Sequence, residues 1–88
     1  MDENIIGRVE KFFKKPSVAA VRVEGGGLKV GDQVRFHGAT TDFTQTVDSM
    51  QVEHDSVQEG KPGDLVGIKT KDRVRPGDMV AIVEQGED

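Results

Sequence analysis

The pattern Gly-Asp-x-Val-x-apolar occurs three times in this chain and constrains its fold more than any other feature. The copies begin at Gly31, Gly63 and Gly77. Glycine tolerates a positive φ and aspartate can bond to nearby backbone, so each pair favours a tight turn. The valine and the later apolar residue then share one face of a strand, because strand side chains alternate with period two. The pattern therefore predicts three strands lining a common core.

The rest of the chain is typical of an all-β domain. Glycine and proline interrupt it at short intervals, and the segments between them are rich in Val, Ile, Phe and Thr. We predict one domain over residues 1–88, with a core from about 5 to 84 and a frayed acidic tail at 85–88. The strands are predicted at 4–12, 17–24, 32–37, 43–55, 64–69 and 78–84. About six such strands predict a closed antiparallel β-barrel.

The segment 43–55 is long for one strand, and its apolar phase changes along its length. Phe43 and Val47 share one parity, whereas Met50 and Val52 take the other. One extra residue near Asp48 would restore the inward face, so the sequence predicts a β-bulge there.

Composition restricts the function. A chain of 88 residues leaves little room for a deep active-site cleft. It has no cysteine, which excludes a disulfide scaffold and a thiolate metal site and suits a reducing compartment. No apolar stretch approaches the roughly 18 residues of a membrane span, and the acidic N-terminus is unlike a secretory signal. We therefore expect a cytoplasmic protein with no membrane partner.

Charge is distributed unevenly, although the net charge is only −4. Residues 1–35 carry seven basic and five acidic side chains, whereas 42–64 are mainly acidic. A second basic run follows, made of Lys69, Lys71, Arg73 and Arg75. The pattern predicts one acidic and one basic region.

Motifs for nucleotide, metal or catalytic sites are weak. Gly25–Gly27 precedes a strand, so no helix N-terminus is available for phosphate, and Pro62 follows Lys61 where a phosphate-binding loop has Ser or Thr. His37 and His54 are isolated from other ligands in the sequence. We expect no catalytic residue, no metal, no cofactor and no nucleotide, and hence a domain that binds rather than catalyses.

The glycine and apolar positions over 21–24, 27–34, 47–52, 59–68 and 75–80 resemble the second domain of elongation factor Tu and related translation GTPases. The resemblance covers about residues 5–84. Residues 12–16 and 40–43 are most similar to small stand-alone proteins of this family, described as elongation-factor-Tu-domain-2-like. The resemblance as a whole implies the fold of a translation-protein β-barrel.

In those GTPases this domain contacts the aminoacylated 3′ end of transfer RNA. This chain departs from the family at that pocket, because Lys61 stands where the family has arginine and Leu65 where it has asparagine, so the residues leave open whether the aminoacyl end is recognised. Residues 13–17 also replace a glycine-rich loop. A similar barrel ends some collagenase-like peptidase-family proteins linked to RNA modification, so the module is used without the GTPase.

The basic residues beside two phenylalanines form the candidate RNA-binding set. If the barrel closes as the resemblance implies, the end of the first strand lies near the last loop. Cations there neutralise phosphates, and an exposed aromatic ring can stack on an unpaired base. The partner would be transfer RNA or ribosomal RNA. In the alternative interpretation these loops are merely solvated and both rings belong to the core. The set is Phe12, Phe13, Lys14, Lys15, Lys69, Lys71, Arg73 and Arg75.

Leu65 and Met79 are the candidate protein-contact residues. Their register turns them away from the face of the neighbouring valines, and outward apolar side chains can mark a binding patch. They could equally pack beneath a loop. The alternative function is therefore a protein–protein interaction module that docks to a translation-related or RNA-modifying factor.

Overall fold

The computed structural model describes residues 4–83, whose only regular structure is β-strand. The strands predicted at 4–12, 17–24, 32–37, 64–69 and 78–84 each correspond to an observed strand, while the expected frayed tail at 85–88 lies outside the described residues. No helix in the described part has the length and apolarity needed to cross a membrane. The strands are β1 (Asn4–Phe13), β2 (Val18–Val23), β3 (Leu28–Lys29), β4 (Gln33–His37), β5 (Asp42–Thr46), β6 (Met50–Val52), β7 (Asp55–Val57), β8 (Glu59–Gly60), β9 (Leu65–Lys69) and β10 (Met79–Ile82).

Eight strands form one curled antiparallel sheet in the order β5-β4-β10-β1-β2-β9-β6-β7, and β3 pairs separately with β8. The predicted all-β antiparallel barrel is confirmed. Within residues 4–83 no ladder joins the edge strands β5 and β7, so the barrel is not strictly closed.

A side-chain amide connects β5 to a strand that it does not pair with. Gln45 on β5 donates from Nε2 to the carbonyl of Lys69 at 2.8 Å and accepts the N–H of Lys71 at Oε1, also at 2.8 Å. The amide thus supplies one donor and one acceptor, as a backbone peptide does in a ladder. It ties β5 to the end of β9.

The Gly-Asp units fold into three equivalent turns. In each, the residue three positions before the aspartate, namely Lys29, Lys61 or Arg75, donates its N–H to the aspartate Oδ2 at 2.9–3.0 Å. The aspartate N–H returns a bond of 2.9–3.0 Å to that residue's carbonyl. The glycines have φ of 96–100°, which a type II turn requires at its third position. The first position of each of the three turns is occupied by a lysine or an arginine.

Each turn is also bonded to a buried valine on a neighbouring segment. The turn glycine donates to the carbonyl of Val47, Val23 or Val9 at 2.7–2.9 Å, and that valine's N–H donates to the aspartate carbonyl at 2.8–2.9 Å. These bonds fix the register in which β4, β9 and β10 start. The valines of β4, β9 and β10 lie in the hydrophobic core. The other main core residues are Ile6, Ala19, Val21, Leu28, Phe36, Met50, Ile68 and Val74.

The single strand and the β-bulge predicted in 43–55 are wrong. β5 ends at Thr46 and pairs with β4, whereas β6 begins at Met50 and pairs with β9. The chain therefore crosses between two sides of the barrel at 47–49, which explains the change of apolar phase. Glu53 and His54 then form a hairpin turn, with φ of 51° and 71°. The register shifts lie in β1 instead, near Ile6 and Glu10.

Candidate nucleic-acid interface

The connection between β9 and β10 closes one end of the barrel. Its Val74 is buried in the core, at 1% exposure. The Thr70 N–H donates to the Ser17 carbonyl at 2.8 Å, and the Ser17 hydroxyl donates to the Thr70 carbonyl at 2.8 Å. Thr70 Oγ1 donates to the carbonyl of Asp72, also at 2.8 Å. The connection is thereby attached to the β1–β2 hairpin.

The tip of that hairpin is basic. The Ser17 N–H closes a turn onto the Lys14 carbonyl at 3.2 Å, and Ser17 has a φ of 57°. A serine tolerates this left-handed conformation less readily than glycine. The exposed residues of the tip are Lys14, Lys15 and Pro16.

These two segments enclose an open depression of about 530 Å³, which we call the basic cleft. The cations Lys11, Lys14, Arg73 and Arg75 are exposed there. Among residues 4–83, none of their charged groups has a hydrogen bond or ion pair. The cleft lining therefore carries four cations and no acidic side chain, although Arg73 and Arg75 also line a neighbouring depression with Asp42 and Asp72. Its lining is Lys11, Phe12, Lys14, Arg73, Val74, Arg75 and Pro76.

Three of the predicted cations lie outside this cleft. Lys15 is at the hairpin tip, whereas Lys69 and Lys71 line a second depression on the β5 side of the β9–β10 connection, together with Gln45. The Lys71 Nζ lies 5.9 Å from the ring centroid of Phe43, within cation–π range. The predicted basic set thus surrounds the connection rather than forming one patch.

The two phenylalanines of β1 face different environments. Phe12 is half-buried against the core and lines the basic cleft. Phe13 is 46% exposed, and the Lys11 Nζ lies 5.9 Å from its ring centroid. Successive side chains of a strand point to opposite faces of the sheet, so Phe12 and Phe13 lie in different environments. Phe12 is therefore the ring placed beside the clustered cations.

Phe13 belongs instead to a shallow apolar groove of about 450 Å³ on the outer face of β2 and β9. Leu65, 39% exposed, lies at its other end, with Glu53 on the rim. We call this the outer groove. Its lining is Phe13, Pro16, Val18, Ala20, Gln51, Glu53, His54, Leu65, Val66 and Gly67.

Leu65 and Met79 do not form one apolar patch. Strand register places them in one transverse row, in which Leu65 pairs with Arg22, Arg22 with Arg8, and Arg8 with Met79. Two arginines therefore separate the two apolar residues. Met79 is also only partly exposed.

The ion pairs of the described residues lie outside the basic cleft. Arg22 Nε donates to Glu10 Oε2 at 2.9 Å, and this bond raises the pKa of the arginine. Arg35 forms a bidentate pair with Asp42, at 2.7 and 2.9 Å. The hydrogen bond from Arg35 lowers the pKa of the Asp42 carboxyl below its ordinary value of 3.8. These paired arginines are therefore less available to an external anion.

The histidines and the family-site positions are dispersed. His37 lies at the end of β4 and His54 in the β6–β7 turn. Within the described ranges no group of three or more His, Cys, Asp or Glu side chains is arranged to hold a metal ion. Lys61 occupies the first position of the second turn, and Leu65 begins β9 directly after that turn and lines the outer groove.

Sequence reasoning missed the residues that position the basic cleft. Ser17 and Thr70 bond each other across 53 positions, and Gln45 bonds to positions 24 and 26 residues away. No local pattern marks such polar contacts. Only the pairing of β2 with β9 could have suggested the first of them.

The fold and its three equivalent turns define a small translation-factor-like β-barrel domain. Residues 17–81 match the family described as elongation factor Tu domain 2, and the chain belongs to that family.

Several relatives are much longer than this chain. It is 41% identical to an uncharacterized protease of Methanocaldococcus jannaschii, over 91% of this chain and 20% of the relative. It is 30% identical to a collagenase of Porphyromonas gingivalis, over 94% and 23%. It is 37% identical to elongation factor 1-alpha of Pyrococcus horikoshii, over 72% and 17%. The chain therefore spans about a fifth of the length of these relatives.

A solved structure shows the same fold. The C-terminal domain of a putative U32 peptidase of Geobacillus thermoleovorans superposes with a TM-score of 0.84 at 24% identity, covering 93% of both chains. The barrel thus also occurs as the terminal domain of a longer protein.

Proposed function

We propose that this domain is a non-catalytic binding module that contacts RNA through the basic cleft. The observation that carries the proposal is the cluster of four exposed cations around one depression, held by two segments that are bonded to each other. Exposed cations attract the phosphates of a nucleic acid, and their binding releases counterions condensed on it. The ligand class is a transfer RNA or ribosomal RNA segment.

The cleft geometry favours contact with a backbone rather than a chemical step. It is open, its charged groups are exposed, and Phe12 supplies an apolar wall. Recognition of phosphates needs positioned positive charge, whereas catalysis needs a reacting group held out of water. The protease and collagenase names belong to relatives about five times as long, so they are compatible with a binding role for this part.

The first test is an NMR titration of the labelled domain with bulk transfer RNA at about 50 and 200 mM salt. We expect shifts at residues 11–16 and 70–76 that disappear at the higher concentration. In parallel, fluorescence anisotropy with a single-stranded oligonucleotide measures the salt dependence. Four phosphate contacts give a log–log slope of about −3.

Charge-matched variants separate this cleft from general attraction. Lys14→Ala with Arg73→Ala removes two cleft cations and should reduce the slope to about −1.4. Lys29→Ala with Lys61→Ala removes the same charge from two other turns and should leave it near −3. An unmoved spectrum at low salt would refute RNA binding, and equal losses in both double variants would refute the assignment to the cleft.

The alternative function, docking to a translation or RNA-modifying factor, has a different structural basis. The predicted pair Leu65 and Met79 is divided by Arg8 and Arg22, so it does not support a shared patch. Leu65 does contribute to the outer groove. Protein binding there would be far less sensitive to salt than RNA binding.

A further inference from the structure

We propose that a small depression beside the basic cleft, which we call the side pocket, binds one unpaired guanine base of the RNA. This inference rests on the proposed function, because the side pocket shares Arg73 and Arg75 with the basic cleft. The pocket lies between the start of β5 and the β9–β10 connection, and its volume is about 290 Å³. Its lining is Thr40, Thr41, Asp42, Phe43, Asp72, Arg73 and Arg75.

Asp72 is a restrained hydrogen-bond acceptor in this pocket. Its carbonyl accepts the Thr70 hydroxyl at 2.8 Å, and its Oδ1 accepts the Arg73 N–H, also at 2.8 Å. Within residues 4–83 its second oxygen, Oδ2, has no hydrogen bond or ion pair. The two bonds therefore restrain the backbone and the side chain of this exposed aspartate, while one oxygen can still accept an external N–H.

The second acid of the pocket is already engaged. Both oxygens of Asp42 accept hydrogen bonds from Arg35, at 2.7 and 2.9 Å. By contrast, the guanidinium groups of Arg73 and Arg75 are exposed and form no hydrogen bond or ion pair with the other residues of 4–83. The pocket therefore offers an external ligand one carboxylate, which only accepts hydrogen bonds, and two guanidinium groups, which only donate them.

Guanine is the base whose polar groups match this combination. Its N1–H and N2 amino donors lie side by side and fit the two oxygens of a carboxylate, whereas its O6 and N7 acceptors fit an arginine. Adenine and cytosine place a ring-nitrogen acceptor beside their amino group, and uracil places its single N–H between two carbonyls. A carboxylate that faces those edges meets an acceptor and is repelled. Asp72 therefore favours guanine, and one of the two arginines can contact its O6 and N7.

The dimensions and surroundings of the pocket favour a base from a single strand. Its volume is near the lower limit of small-molecule pockets, about 300 Å³, which suits one base rather than a base pair. Phe43 forms an apolar wall and packs on Phe36, with ring centroids 5.2 Å apart. Along the connection, Asp72 stands between the two arginines and Lys71, whose Nζ lies 5.9 Å from the Phe43 ring centroid. Phosphates on both sides of an inserted base would therefore meet positive charge, and its Watson–Crick edge is accessible only when the base is unpaired.

Fluorescence anisotropy measures this preference with two labelled oligonucleotides of about eight nucleotides, one all uridine and one with a single central guanine. We expect the guanine oligonucleotide to bind roughly tenfold more tightly, and a central adenine or cytosine to give little gain. Inosine, which lacks the N2 amino group, should recover only part of the gain. The ratio of affinities should persist as salt is raised from about 50 to 200 mM, because the counterions released on binding come from phosphate contacts.

Asp72→Asn tests the acceptor. The amide keeps an oxygen for the Arg73 N–H but presents a donor to the donors of guanine, so the guanine preference should disappear while the all-uridine oligonucleotide still binds. Asp55→Asn is the matched control, because it removes the same charge from an exposed position of β7 outside the side pocket and should leave the preference intact.

NMR spectra of the wild-type domain locate the base without any substitution. The guanine and all-uridine oligonucleotides should give different shifts at residues 40–43 and 72–75, which line the side pocket. This comparison decides the question if thermal melts show that Asp72→Asn fails to fold.

The outcomes separate this inference from the proposed function. If no oligonucleotide binds the wild-type domain at low salt, both proposals are refuted. If all of them bind equally, contact with the RNA backbone stands and the side pocket is refuted as a base site. A guanine preference that Asp72→Asn retains, or that shifts only residues outside 40–43 and 72–75, overturns the assignment to this pocket.

Discussion

The three equivalent turns allow one substitution to be compared at three sites of the same protein. Asp32, Asp64 and Asp78 each accept the N–H three residues earlier, but their surroundings differ. Asp32 and Asp64 are partly exposed, whereas Asp78 is 5% exposed. A Cβ added to Gly38 would collide with the Asp78 carboxylate, which shows how closely the two segments pack.

The free-energy cost of replacing each aspartate with alanine follows from these surroundings. In the two exposed turns, water can solvate the released N–H, so we expect a loss of about 1 kcal/mol. At Asp78 the N–H of Arg75 is partly buried, and a bond to a charged acceptor contributes about 1.5–3 kcal/mol. We expect a loss of about 2–3 kcal/mol there. For a domain of this size each kcal/mol lowers Tm by about 4–8 °C.

Thermal and urea unfolding of the three variants measures the ranking. The expected order of destabilisation is Asp78→Ala well above Asp64→Ala and Asp32→Ala. Asp78→Asn keeps an oxygen acceptor and should lose only about 1 kcal/mol. Equal losses at all three sites would refute the role assigned to burial. A more stable Asp78→Ala would show that desolvation of this carboxylate outweighs its bond.

Three further changes test the fold and its pH dependence. Gln45→Ala removes both bonds between β5 and the end of β9 and should cost about 1–2 kcal/mol and speed hydrogen exchange at the β9 end, whereas Gln51→Ala, at an exposed position of β6, should be near neutral. Gly7→Ala should cost at least about 2 kcal/mol, because its Cβ would lie 2.6 Å from a backbone oxygen, while Gly25→Ala, whose nearest atom is 3.9 Å away, serves as control in the same urea titration. The lowered pKa of Asp42 stabilises the folded state fully above its ordinary value of 3.8, and this contribution is lost as the pH falls through the folded pKa. Asp42→Asn should therefore flatten the acid limb of stability below about pH 4, and an unchanged limb would contradict the assignment.

The basic cleft and the outer groove are lined by consecutive residues of β1. Phe12 lines the basic cleft and Phe13 the outer groove, because neighbouring strand residues point in opposite directions. Lys11 contributes to the cleft and also covers the Phe13 ring.

Much of the fold is encoded locally and was predictable. The Gly-Asp pattern specifies a turn and the face of the following strand within six residues, and the structure contains all three turns with the expected alternation. The all-β class and the family follow from the same glycine and apolar positions. These features depend on backbone sterics and a period of two, which a sequence displays directly.

Other features depend on which strands become neighbours, and no local pattern shows that. A β-bulge would produce the change of apolar phase in 43–55, and so does the observed change of partner, in which β5 pairs with β4 and β6 pairs with β9. Leu65 and Met79 share a register position, yet only the strand order places Arg8 and Arg22 between them. The sequence by itself determined turns, strand faces and the supply of cations. The tertiary structure alone decided which of these side chains lie close together, because long-range strand pairing, rather than spacing along the chain, sets the distances between them.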